Sequence, residues 1–193
     1  MKKIAVLLII VSMTIFASPR SKGVNTNLRK NNKISGQINK KNETSQETWN
    51  RIKPEIKIRL DKLSKETIAG NYKQSFDEMP DKILKYLANK FSISTAKAKN
   101  LIVEMMSKMA KELKIVENSY DLENVRLGKT GIGRNYVIIP MKVTALYNGK
   151  KLTNTGEIMV FEDEGKWYII NYDKDQMILL KDVYPDLVKI KEK

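Results

Sequence analysis

Any chemistry this chain performs has to be done without histidine or cysteine, because its 193 residues contain neither. That excludes a Cys/His zinc site, a disulfide framework, and a Ser-His-Asp or Cys-His catalytic pair within one chain. Three local patterns resemble functional motifs and fail on spacing. Gly128-Lys129-Thr130 is like the end of a phosphate-binding loop, but the glycine required five residues earlier is Glu123, and the sequence that follows reads as a strand. Gly131-Ile132-Gly133 lacks the third glycine of a dinucleotide fingerprint, which would fall at Tyr136. Asp173 and Asp175 are spaced like the opening of a calcium loop, but Met177 stands at the next ligand position and no glycine follows. Glu162-Asp163-Glu164 reads as a solvated turn, and Asn42-Glu43-Thr44 as a glycosylation acceptor only in a eukaryotic secretory pathway. No motif calls for a cofactor.

The elements that would position a site are clearest between Arg134 and Asp173. Val137, Ile139, Met141, Val143 and Ala145 recur at every second residue, the period of a strand with one buried face. The alternate residues Tyr136, Ile138, Pro140, Lys142, Thr144 and Leu146 mix apolar and polar groups, which suits a partly wet surface or a pocket wall. Asn148-Gly149 fits a type I′ hairpin turn, since both residues tolerate positive φ. A second alternating run over Gly156 to Phe161, a turn at Glu164-Gly165 and a third run from Trp167 complete an antiparallel meander. Pro140 lacks an amide donor, so it belongs at a bulge or where that N–H would face away from the ladder.

Helical periods precede the strands. Ile52, Ile56, Leu60, Leu63 and Thr67 or Ile68 form one stripe between Gln46 and Ala69. Pro54 suits a first turn, so the main helix is expected to start near Lys53. Gly70-Asn71 breaks it. Tyr72 to Met79 reads as a short helical piece, Asp81 to Phe91 as another, and a longer helix runs from a cap at Ser94 or Thr95 to about Leu113. The expected core stripe of that helix is Ala98, Leu101, Ile102, Met105, Met109 and Leu113. A further strand is expected over about Glu117 to Leu127, before the loop Gly128 to Gly133, and the chain closes with a short helix around Gln176 to Lys181.

The N-terminal region has a different character. Lys2 and Lys3 precede an apolar run, Ile4 to Ala17, of 14 residues. That is short of the roughly 20 needed to span a bilayer and matches the h-region of a secretory signal. Residues 1–17 are therefore read as a signal peptide, and no following cysteine offers a lipid anchor. Of the 36 Lys and Arg, 15 lie in residues 1–65, against 4 of the 22 Asp and Glu, so the basic character is concentrated there. Residues 18–45 are polar, basic and without period, as expected of a disordered linker. Residues 46–193 make a single α+β domain.

The order of a long helix, a Gly-Asn-Tyr break, short helices, a helix to Leu113 and long antiparallel strands resembles the nuclear transport factor 2-like superfamily. Its most specific piece is the pair of hairpins, Tyr147-Asn-Gly-Lys150 followed by Glu164-Gly-Lys-Trp-Tyr-Ile169. The resemblance covers about residues 50–173. It implies a cone-like architecture, in which N-terminal helices pack on a curved antiparallel sheet of about four strands and a cavity opens at one end. Members of that superfamily include enzymes that use Asp, His or Tyr inside the cone. On that basis the pocket candidates in this chain are Tyr72, Asp77, Tyr136 and Tyr168. A buried Asp with a raised pKa acts as a base and a Tyr hydroxyl stabilises an oxyanion.

Fold alone assigns no activity, and two readings follow. One is an exported, non-enzymatic binding or protein-interaction module of a bacterial envelope, in the periplasm, at the surface or in the medium. Its basic tail would hold it to an envelope protein or an anionic surface, each Lys or Arg adding about 1 kcal/mol near anionic lipid. The other is a small-molecule-binding or cryptic enzymatic domain that uses the cone cavity. A homodimer through the sheet face is suggested by Ile138, Leu146 and Phe161. Nucleic acid is not an expected partner, because the tail has no aromatic residue to stack on bases.

Overall fold

The computed structural model describes residues 43–71, 80–111 and 113–190. The signal run, the linker to residue 42, the helical piece Tyr72 to Met79 and the candidates Tyr72 and Asp77 lie outside those residues. In chain order the elements are α1 (Ser45–Ile68), α2 (Asp81–Lys90), α3 (Thr95–Ala110), β1 (Leu113–Tyr120), β2 (Arg126–Lys129), β3 (Asn135–Tyr147), β4 (Lys150–Asp163), β5 (Lys166–Asn171), α4 (Lys174–Val183) and α5 (Pro185–Val188). The fold is α+β, with a curled antiparallel sheet.

The start of α1 is set by a capping box. Thr44 Oγ1 accepts from the Glu47 amide, and the Glu47 carboxylate accepts from the Thr44 amide at 2.8 Å. The two reciprocal bonds satisfy orphan donors of the first turn. They place the helix start eight residues before the expected Lys53 and leave Pro54 inside the helix. An interior proline removes a hydrogen bond at a cost of about 3 kcal/mol. Burial of Trp49 and Ile52 ahead of it, on the same stripe as Ile56, Leu60 and Leu63, offsets that loss. At the other end Gly70, at φ +74°, turns the chain out, and the Asn71 amide returns to the Glu66 carbonyl.

α3 starts where expected, with Ser94 Oγ accepting from the Lys97 amide, but it is rotated relative to the expected stripe. Ala98 and Met106 are buried, whereas Leu101 and Met105 are 49% and 42% exposed. Apolar type alone had put Leu101 and Met105 inside. The helix also ends sooner, and Leu113 is the first residue of β1.

The sheet runs in the order β1-β3-β4-β5, with β2 also pairing β3. β1 and β2 replace the single strand expected over Glu117 to Leu127. Asp121 interrupts it, its carboxylate accepting from the amides of Glu123 and Asn124. β1 pairs Tyr147 to Met141 and β2 pairs Ile138 to Asn135, so the break faces Pro140. The Asp121 amide donates to the Pro140 carbonyl. The N and C=O of one strand residue point the same way, so the donor that Pro140 lacks would have faced this gap. Both hairpin turns have two consecutive positive φ values, Asn148 with Gly149 and Glu164 with Gly165, as type I′ geometry requires.

Helices cover both faces of the sheet, not one. α1 lies on the face of Val137, Ile139, Met141, Val143, Ala145, Ile158, Val160 and Ile169. The opposite face carries Ile138, Met159, Phe161 and Ile170, which pack with Ile83 and Leu84 of α2, Met106 of α3, Leu180 of α4 and Leu187 of α5. A β-strand buried on both sides has no wet face over that length. The alternate face expected to be mixed is therefore divided along its length. Ile138 is 2% exposed and Phe161 fully buried, while Lys142, Thr153 and Thr155 further along are exposed. Of the three apolar residues that suggested a dimer through this face, Ile138 and Phe161 are covered by the chain itself and Leu146 is half-buried.

Candidate functional site

The buried end of the divided face closes on Asp163, at the end of β4. Its carboxylate accepts from Arg134 at 2.9 Å, from Lys82 of α2 at 2.8 Å and from the Tyr184 hydroxyl at 3.1 Å. Arg134 also donates to Asp186 of α5 at 2.8 Å and to the Glu162 carbonyl at 2.6 Å, and its guanidinium lies 5.2 Å from the Tyr184 ring centroid. Burial alone would raise the Asp163 carboxyl. The hydrogen bonds from Lys82 and Arg134 outweigh it and hold the group below its usual range. Burial, with the Asp163 charge beside it, pushes the Tyr184 phenol well above its ordinary range. The sequence had offered Glu162-Asp163-Glu164 as a solvated turn. Asp163 is instead the buried anchor of four elements, and its signal was invisible because its partners are 29, 81 and 21 residues away.

Of the candidates drawn from the resemblance, two can be placed. Tyr136 and Tyr168 stand on either side of Phe161 in the strand register, both half-buried against the helices. Phe161 and Tyr168 have ring centroids 5.7 Å apart. The Tyr136 ring covers Gly128 across the β2–β3 pair, where any Cβ would collide with it. The two tyrosines are thus brought to one aromatic row, and their surroundings are those of packing residues.

Two recesses lie at the other end of the sheet. The larger, about 630 Å³, is an open groove floored by Pro140, Met141 and Gly156 and walled by Lys57 of α1 and the Ser119 to Glu123 segment. Tyr120 lines it. Its hydroxyl accepts from Asn118 Nδ2 at 3.0 Å, and burial raises its pKa well beyond the ordinary phenol value. The charged groups around the groove are already engaged. Lys57 pairs with Asp61 at 2.7 Å, Glu123 with Lys53 at 2.8 Å and Lys142 with Glu117 at 3.0 Å. Asp121 takes hydrogen bonds from the Glu123 and Asn124 amides and from the Asn124 side chain, which hold its carboxyl below the usual range. The smaller recess, about 350 Å³, adjoins the first at Met141, Thr155 and Gly156 and is lined beyond them by Glu157, Asp173, Lys174 and Asp175. Sequence reading found the strands that floor these recesses. It missed their walls, although the Asp-Leu-Glu-Asn run from Asp121 to Asn124 has the composition of a side-chain-capped turn.

Among the described residues no helix is long and apolar enough to cross a membrane, and no group of three or more carboxylates is placed to hold a metal ion. Compared with family models, with curated proteins and with solved structures, the chain matches none.

Proposed function

We propose that this chain is an exported binding module of the bacterial envelope, in which residues 18–42, the part of the expected linker that precedes the α1 cap at Thr44, form a basic tether and the groove beside Gly156 is the recognition surface. The observation that carries this reading is the occupation of the groove's titratable groups. Asp121 holds its own turn, Lys57, Glu123 and Lys142 are in ion pairs, and the Tyr120 hydroxyl accepts from Asn118. Groups arranged in this way shape and polarise a surface. A proton-transfer site needs a titratable group held in reserve near the working pH. The curled sheet with one long helix against it supports the resemblance to the nuclear transport factor 2-like superfamily, whose fold serves binding as well as catalysis.

The tether is tested by recovering the protein from membranes of its host with and without residues 18–42, a deletion that keeps the Thr44 cap of α1, at low and at raised salt. Exposed charges are screened beyond about 8 Å at physiological ionic strength, so association is expected to fall with either change. Association indifferent to both would remove the tether from the reading. A second reading, a small-molecule binder, is favoured by the groove's volume of about 630 Å³, which lies in the range of ligand sites. A native mass spectrum of protein from its host separates the two. An adduct lost on unfolding identifies a pocket ligand, and a bare mature chain supports the interaction module.

A further inference from the structure

β4 is longer than the strand that covers its outer side. β5 pairs with it from Asp163 back to Ile158, and the Tyr172 amide then closes on the Glu157 carbonyl at 2.8 Å before the chain turns into α4. From Lys150 to Gly156, β4 pairs with β3 on one side and with no described strand on the other. The Lys150 and Tyr147 pair flanks a two-residue turn and so exchanges both of its hydrogen bonds, and alternate residues then turn their backbone groups outward. Those residues are Lys151, Thr153, Thr155 and Glu157, and the bond from Tyr172 to Glu157 agrees with that phase. An edge of this kind is a template for another strand unless charge, proline or a bulge blunts it. Here Lys151 is its single charged outward residue before Glu157, and it contains no proline.

We propose that this edge pairs antiparallel with the same edge of a second copy, on a two-fold axis through Thr153. The sequence is self-complementary in that register. Thr153 faces Thr153, and Lys151 faces Thr155 twice, so every outward N–H and C=O of the three residues finds a partner, and threonine lines the exposed side of the ladder. Leu152 faces Asn154, and Lys150 faces Gly156. Moving the register two residues one way sets Lys151 against Glu157, where Tyr172 already sits; moving it the other way leaves Thr155 opposite the turn residue Gly149. A one-residue slip turns outward groups against inward ones. Charge selects the same partner. The hairpin end of the second copy brings Lys150 and Lys151 to the recess lined by Asp173, Asp175 and the cation Lys174, where Glu157 is already held by Arg126 at 2.6 and 2.9 Å, so the carboxylates that attract it are Asp173 and Asp175. Nothing in this proposal depends on the groove's being a recognition surface.

The chain contains no cysteine, so a single introduced thiol reports the axis. Cα atoms of a directly opposed, hydrogen-bonded pair lie about 5.5 Å apart, within the range a disulfide spans. Full-length Thr153→Cys is expected to form a covalent dimer under mild oxidation, several-fold faster than Thr155→Cys, whose cysteine faces Lys151 of the other copy. Sedimentation of the unmodified chain is expected to show a monomer–dimer equilibrium in the micromolar range that high salt weakens. Thr153→Pro should abolish it at a small cost in thermal stability, because the lost N–H faces outward on an edge and the side chain gives up one hydrogen bond, at 3.1 Å to the Thr144 hydroxyl. Two results would overturn the proposal. One is equal, slow cross-linking of both cysteine variants. The other is a chain that sediments only as monomer while the Thr153 and Thr155 amides are protected from hydrogen exchange, which would give the edge to a segment of its own chain.

Discussion

β3 and β4 share one alternating pattern along their length, yet their two ends differ sharply. At one end Arg134, Phe161 and Asp163 are enclosed by α2, α4 and α5, and each polar atom of the Asp163 carboxylate has a named donor. At the other end Lys142, Thr153 and Thr155 stand exposed on the same face. Alternation fixes which face a residue belongs to. What covers that face is decided by where helices distant in sequence return, and the Asp163 cluster fixes that return.

The contrast is sharpest for Arg134→Met. Removing one member of a buried charged cluster costs about 3–5 kcal/mol, because Asp186 loses its guanidinium donor and Asp163 keeps only Lys82 and Tyr184. Denaturant unfolding should show a loss of that size, and a shift within error would break the comparison. Leu187→Ala, at a fully buried site in the last helix, is expected to cost about 3 kcal/mol, detected as a lower unfolding midpoint.

Acid should act on the same end. The Asp163 carboxyl is held below its ordinary value in the folded chain. Its share of stability is therefore complete above the unfolded value of about 4 and is lost as pH falls through the lower folded value. Thermal midpoints measured down from neutral pH should fall steeply in that window, and Asp163→Asn should start lower and flatten the slope. Thr44→Ala, which removes the α1 cap, is expected to cost about 1 kcal/mol. At the open end Lys142→Ala should leave the unfolding midpoint where it is, since its partner Glu117 is exposed. A clear loss there would show that the open end is structurally committed after all.

Much of the fold was legible in local sequence. Period two and the Asn148-Gly149 and Glu164-Gly165 turns locate β3, β4 and β5, and Pro140 lies where a missing donor harms nothing. The failures have identifiable causes. Pro54 was given precedence over Thr44 and Glu47, although burial of Trp49 and Ile52 carries the helix back to its cap. Leu101 and Met105 are apolar yet exposed, because the phase of α3 is set by the sheet beneath it. Tyr184 and Leu187 lie beyond the last element expected from sequence and are core, through contacts that no local pattern encodes. The candidate site fared worse for the same reason. Tyr136 and Tyr168 were chosen for residue type, and residue type does not reveal that Phe161 lies between them.

The Asp163 cluster takes its members from positions 82, 134, 163, 184 and 186. During synthesis the β3–β4 hairpin is complete well before Tyr184 and Asp186 emerge. Until they do, a guanidinium and a carboxylate destined for the interior remain in water, and Phe161 lacks the Tyr184 ring, whose centroid lies 4.9 Å from its own. The molecule thus carries its own test of completeness. Chains interrupted after β5 are expected to be cut quickly by proteases, and those that include α5 to resist them.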